Sequence, residues 1–268
     1  MRRTAMVLLT AMAVLSVPML SSAVITCEHF NYGPAFLPLT GLGGGENWGG
    51  AWAGYDNLSP AYHPDAGLAY SASCYTNAYD CNDADYGGTV HQSYRGAPRA
   101  FPQALTGTIW VSALVRLGAN DSFRGFTFSN NELSFGFGIN SDCRTYIYFA
   151  DCDTAEGGIE HSTDDVHLVI ARVVIDPEDE GVDIVSVWVD PDDTCSGEPG
   201  LGEAEVELDG CDVASSWATL MFELGNGSNL DAIRVSHGND ACLEDVLRCP
   251  PTNPVERSSW GAIKKLFR

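Results

Sequence analysis

Lysine is missing from the whole stretch between Cys27 and Leu247, and the absence narrows the functions open to the chain. A phosphate loop of the G-x-x-x-x-G-K-[ST] kind has no ammonium to reach its ligand. Acidic residues number 36 against 14 Lys plus Arg, for a formal net charge of −22. Such a surface repels phosphate backbones, which argues against nucleic acid as a partner and makes cations the natural counter-ions. Helical periodicity is nearly absent, and past the N-terminal segment no run is long and apolar enough to span a bilayer. There is no G-x-S-x-G elbow for a nucleophile. The six histidines, His29, His63, His91, His161, His167 and His237, show neither H-E-x-x-H nor another metal spacing, and no Cys-x-x-Cys pair exists for zinc.

The N-terminus has a definite pattern. Arg2 and Arg3 precede an apolar run from Ala5 to Leu20, and Ser21-Ser22-Ala23 supplies small residues at the cleavage positions. This predicts a signal peptide over 1–23 and an exported mature chain that is secreted, periplasmic or at the cell surface and does not span the membrane. Cys27 raises the alternative of a lipid-modified N-terminus, but Val24-Ile25-Thr26 lacks the small residue that such processing wants. Nine cysteines in an exported chain predict disulfides. By proximity they form local couples, Cys74 with Cys81, Cys143 with Cys152, Cys195 with Cys211 and Cys242 with Cys249, leaving Cys27 over; spacing alone does not settle connectivity.

Strand-like runs recur between Gly, Asn and Asp clusters: 107–117, 125–129, 133–139, 145–150, 166–175 and 182–189, then 203–208, 219–224 and 232–236. That pattern predicts an all-β antiparallel sandwich over 24–249, large enough to bury a core. Period two within these runs assigns Trp110, Leu114, Val169, Ala171, Val185 and Val187 to the space between the sheets. Gly54 to Pro98, rich in Tyr, Asn, Asp, Ser and Gly, reads as a long decorated connection. Residues 250–268 form a Pro-rich linker and a cationic tail, SSWGAIKKLFR, separate from the domain and suited to attachment or sorting.

Several short motifs follow one another in order. They are Glu28-His29-Phe30-Asn31-Tyr32, GLGGGENWGGAW from Gly41 to Trp52, Gly67-Leu68-Ala69-Tyr70, Tyr94-Arg95-Gly96 with Arg99-Ala100-Phe101, GTIWVSALVR, HLVIARV, DIVSVWVDP and Leu230 to Val235. From Cys27 to His237 this order resembles secreted bacterial proteins with a laminin-G-like, concanavalin A-like jelly-roll. The resemblance implies a sandwich of two antiparallel sheets whose first and last strands lie side by side. The tail departs from such relatives, which often end in a sorting segment or docking module.

Three constellations bear on chemistry. In GLGGGENWGGAW, Trp48 and Trp52 are candidate sugar-stacking residues, weighed against the reading that they close one end of the sandwich. A glycoside hydrolase of the jelly-roll class needs two carboxylates on one strand, about 5 Å apart for retention. Glu205, Glu207 and Asp209 share a face at period two, but Gly210 and Cys211 interrupt the run, and an acidic strand edge is the competing reading. Asp80, Asp83 and Asp85 are candidate Ca2+ ligands, although Ala84 breaks the loop pattern; Asp190, Asp192 and Asp193 form a second acidic turn. The function expected is binding of a glycan or an extracellular surface partner, with a polysaccharide-cleaving enzyme or a structural envelope protein as alternatives.

Overall fold

The computed structural model describes residues 23–28, 30, 32, 37–54, 61–62, 68, 70, 89–90, 95–118, 124–130, 134–149, 152–163, 165–175, 183–211, 216–224 and 227–247. The proposed signal peptide, apart from Ala23, and the tail lie outside the described residues. So do Cys74, Cys81, Cys249, Asp80, Asp83 and Asp85.

The chain folds as a jelly-roll, a sandwich of two antiparallel sheets. One sheet runs in the order β13 (Val206–Cys211), β12 (Asp183–Val189), β11 (Val166–Val174), β6 (Thr108–Arg116), β15 (Asn229–His237), β4 (Thr89–Val90), β3 (Ala61–Tyr62) and β2 (Leu37–Pro38). β1 (Val24–Glu28) also pairs with β15, from Val24 against His237 to Glu28 against Ile233. The first and last strands are therefore neighbours, as the resemblance implied. The second sheet runs β10 (Thr154–Glu160), β9 (Arg144–Phe149), β8 (Ser134–Ile139), β7 (Arg124–Ser129), β14 (Trp217–Leu224) and β5 (Arg95–Leu105). One short helix, α1 (Leu243–Leu247), follows β15. Among the described residues no helix is long and apolar enough to cross a membrane.

Strict alternation builds the six-stranded sheet. Phe126 and Phe128 on β7, Phe135, Phe137 and Ile139 on β8, Ile147 and Phe149 on β9 and Leu220, Phe222 and Leu224 on β14 point into the core. They meet Ile109, Val111, Ala113 and Val115 of β6, Val169, Ala171 and Val173 of β11 and Val185 and Val187 of β12. Each such buried side chain larger than alanine contributes about 1.5–3 kcal/mol.

Trp110 and Leu114 are a correction. They lie not between the sheets but in a second apolar cluster on the outer face, with Leu168, Ile170 and Trp188, under Leu243, Val246 and Leu247 of α1. β6 is apolar on both faces, so its period of two says that Trp110 and Leu114 share a face without saying which face is inside. A helix covering the outer face hides the polar contrast that would have decided it.

Two boundaries also differ. β13 begins three residues later than the predicted run and continues through Gly210 and Cys211, because a bulge between Asp183 and Val185 absorbs the irregularity against β12. The segment from Gly54 to Pro98 is more than a connection: it holds β3, β4 and the start of β5, which pair by register across the sheets.

Two of the four local couples are not made. Cys143 and Cys242 are thiols, so neither Cys143 with Cys152 nor Cys242 with Cys249 is joined. Cys152 and Cys195 each belong to a disulfide. Cys143 occupies a left-handed turn at φ 59° and lies against the Arg124 guanidinium, 4.0 Å from Nη1 to Sγ, which turns its thiol toward the core side of the β8–β9 hairpin.

Candidate functional site

The outward residues of the six-stranded sheet fall into two rows across four strands and an edge. Following the register, one row reads Glu223 (β14), Gly125 (β7), Gly138 (β8), Tyr146 (β9) and Glu156 (β10). The other reads Met221, Thr127, Gly136, Tyr148 and Thr154. Small residues form the middle of both rows, and larger polar or aromatic ones form the sides. Three strand spacings separate β14 from β9, about 14 Å. An open cleft of about 640 Å³ lies over this surface, lined by Tyr146, Tyr148, Glu156, Glu223 and the Asn140–Asp142 turn among others. That volume is within the range of about 300–1,000 Å³ usual for small-ligand sites.

Glycine makes the aromatic platform. A Cβ on Gly136 would overlap the Tyr148 ring, so the ring lies flat across β8 only because that position is bare. Tyr148 then reaches β7, where its hydroxyl is 2.5 Å from Thr127 Oγ1, and Thr127 donates to Glu223 Oε1 at 3.2 Å. Thr127 has one hydroxyl proton. When Glu223 is ionised the chain must run Tyr148 to Thr127 to Glu223, which holds the ring plane. Tyr146 stacks against Tyr148 at 6.2 Å between centroids, 29° apart in plane, and both rings are only half-buried. Burial pushes the Tyr148 hydroxyl up to about 12, with the Thr127 hydrogen bond pulling the other way. Burial likewise raises Glu223 above the usual carboxylate range, opposed by Thr127. On the rim, Asn140 donates to Glu156 Oε2 at 2.8 Å, and Arg144 pairs with Glu156 at 3.3 Å. Aromatic faces beside polar acceptors in an open trench can stack on a sugar ring and accept hydrogen bonds from its hydroxyls.

The residues singled out in the sequence lie elsewhere. Trp52 is buried, stacks on Phe30 at 6.0 Å and donates from Nε1 to the Tyr32 hydroxyl at 2.9 Å. Trp48 stacks on Phe101 at 5.4 Å and donates to the Cys27 carbonyl at 2.9 Å. The Arg99 guanidinium lies over both indoles, at 4.7 and 5.2 Å, and pairs with buried Glu28. Gly45, at φ 67°, comes so close to the Cys27 carbonyl that a Cβ would not fit. The stretch GLGGGENWGGAW thus folds back on β1 and β5 and clamps the end of the sandwich.

Glu205, Glu207 and Asp209 are split. Val206 and Leu208 turn into the core, as period two requires, but Glu205 precedes β13 and turns to His161, with Nε2 to Oε1 3.1 Å, while Glu207 accepts from Ser186 at 2.8 Å; Asp209 is exposed. Glu205 lines one hollow beside Trp188 and Glu207 another, of about 430 and 590 Å³. Asp190 accepts from His167 at 2.6 Å and from the Leu168 amide, and Asp193 caps Cys195 and Ser196. Among the described residues no group of three or more His, Cys, Asp or Glu is placed to hold a metal.

Tyr146, Tyr148, Thr127 and Glu223 were not singled out in the sequence. RTYIYF did show two tyrosines on one face opposite Ile147 and Phe149. The partner strands were hidden: Thr127 and Glu223 are 96 residues apart. The fold also brings together His161 and His167, 5.4 Å between rings, which looked isolated in sequence.

No family model matches the chain, and no curated protein matches it by sequence. Solved structures do show likeness. Galectin LEC-6 of Caenorhabditis elegans is 12% identical, with 55% of this chain and 92% of that one covered and a TM-score of 0.34. The PL-14 alginate lyase of Aplysia kurodai is 10% identical, with 57% and 84% covered and a TM-score of 0.39. The heptameric SAP-like pentraxin of Limulus polyphemus is 12% identical, with 54% and 70% covered and a TM-score of 0.35. These likenesses are distant, and the description as a jelly-roll rests on the two sheets themselves.

Proposed function

We propose that the protein is an exported glycan-binding module whose site is the cleft over β7, β8, β9 and β14. The observation that carries this reading is the Tyr146–Tyr148 platform, laid on the bare Gly136 and tied through Thr127 to Glu223. Export follows from the signal-like N-terminus and the cysteine content. Binding is favoured over cleavage because Tyr148, its hydroxyl held near 12, is a poor base at neutral pH. The acids weighed for hydrolysis, Glu205 and Glu207, have different partners and open into different hollows.

A glycan array followed by calorimetry on the purified protein tests the proposal. The wild type should bind at least one oligosaccharide. Tyr146→Ala should weaken it tenfold or more, equivalent to about 1.4 kcal/mol, with a near-native melting temperature because that ring is half-buried. Trp48→Phe should leave affinity unchanged. Product release from the bound glycan would overturn the non-catalytic reading, and an array without a hit would overturn the site.

A further inference from the structure

We infer that the cleft selects a glycan bearing a protonated amino group, an amino sugar with a free amine, over neutral or anionic sugars. The inference rests on the proposed glycan site and names its substrate class. Glu223 stands on one side of the trench and Glu156 and Asp142 on the other. The guanidinium beside them, Arg144, is already paired with Glu156. The other arginines with described side-chain contacts are similarly engaged: Arg99 with Glu28, Arg116 with Asn229, Arg124 with the Asn140 and Gly118 carbonyls, Arg172 with Glu198 and Arg234 with the Val246 carbonyl. No lysine occurs between Cys27 and Leu247 to replace them.

A uronate or sulfated sugar would therefore bring its charge into a field of carboxylates with no unengaged cation among the described residues to meet it, and like charges at such distances repel. An ammonium gains instead. Glu223 has one oxygen committed to Thr127, and a carboxylate retains further acceptor sites for an ammonium donor. The tyrosine rings add a second attraction, because a cation near an aromatic face is drawn to its electron density. The platform and the carboxylate, joined through Thr127, lie in one trench, and both favour the same charge. Stacking alone would accept any pyranose, so the acid at its side is what discriminates.

Calorimetry with three oligosaccharide series decides the matter: glucosamine oligomers, their N-acetylated counterparts and alginate oligomers, at low and moderate salt. The expected result is binding of the free-amine series at least tenfold tighter than the acetylated one, no detectable binding of alginate, and a preference that shrinks as salt rises. Glu223→Gln should remove most of that preference, with circular dichroism confirming the fold. Equal affinity for acetylated and free-amine oligomers would overturn the amino-sugar inference while leaving the glycan site standing, as would tighter binding of alginate. Failure of every oligosaccharide to bind would overturn both. If Glu223→Gln does not fold, Asp142→Asn on the exposed rim should still reduce the preference; an undiminished preference in that variant would count against it.

Discussion

Arg99 is buried between two indoles and a carboxylate, and its guanidinium is the joint where β1, β5 and the glycine-rich stretch meet. It also donates to the Gly50 and Gly44 carbonyls at 2.7 Å each, so most of its donors are used. Glu28 in turn accepts from the Phe30 amide at 2.7 Å and the Tyr32 hydroxyl at 2.8 Å. Removing one member leaves the other charged, buried and unmatched. Arg99→Leu should therefore destabilise by about 3–5 kcal/mol, read as a shift in the urea midpoint, whereas an exposed pair such as Arg144–Glu156 should cost about 0–1 kcal/mol when broken. Gly136 makes a different prediction at the same scale. Alanine there must displace the Tyr148 ring and press on the Phe126 carbonyl 2.8 Å away, at about 1–3 kcal/mol. Glycan affinity should fall with it although Gly136 has no side chain to offer a ligand. Unchanged affinity in a folded Gly136→Ala protein would show that the ring position does not matter.

At the scale of elements, α1 is too short to be stable on its own, and it persists by covering the outer face of the larger sheet. Ser112 donates to the Val246 carbonyl at 2.5 Å, Arg234 to the same carbonyl at 3.2 Å, and Ser236 to Asp245 at 2.8 Å. The helix's orphan carbonyl is thus satisfied from β6 and β15 beneath it. Leu243→Ala should cost about 2–5 kcal/mol by opening a cavity beside buried Leu243 neighbours, and the fluorescence of Trp110 and Trp188, which stack at 6.1 Å, should report the loosening. None of this was legible in the five residues LEDVL, which carry too little pattern to announce a helix. By contrast the strands of β6 to β9, β11, β12, β14 and β15 were legible to within one to three residues, because their alternation or continuous apolar character needs no knowledge of the partner.

The whole molecule should be more stable on the acid side of neutrality. Burial raises Asp231 to about 7, opposed by amide hydrogen bonds from Leu68 and Ala232. The folded chain then holds a proton that the unfolded chain releases near 3.8, so between those values stability falls as pH rises. His167 acts in the same direction. Burial works against its charge, but Asp190 and the Ser162 carbonyl, both acceptors, outweigh it and raise its pKa above 6.5. Its stabilisation is full below that value and fades as pH climbs through the raised one. His237, lowered by burial, opposes them by losing stability as pH falls below 6.5. Urea midpoints measured from about pH 4 to about pH 7 should decline, and Asp231→Asn should flatten the profile. A midpoint that rises across that window in the wild type would contradict the assignment.

Residue order alone sufficed for the all-β class of fold, for most of the longer strands, though not for β5 or β10, and for which residues within a strand share a face, since the pleat alternates whatever lies beside it. Three things waited on the tertiary structure. Trp110 and Leu114 found the outer face because α1 covers it. The acids of 205–209 dispersed because Glu205 turns around the sheet edge to His161. The tyrosines of β9 met Thr127 and Glu223 because β14 pairs with β7 across a long stretch of chain, and contacts made by closing such loops depend on the whole core that holds them shut.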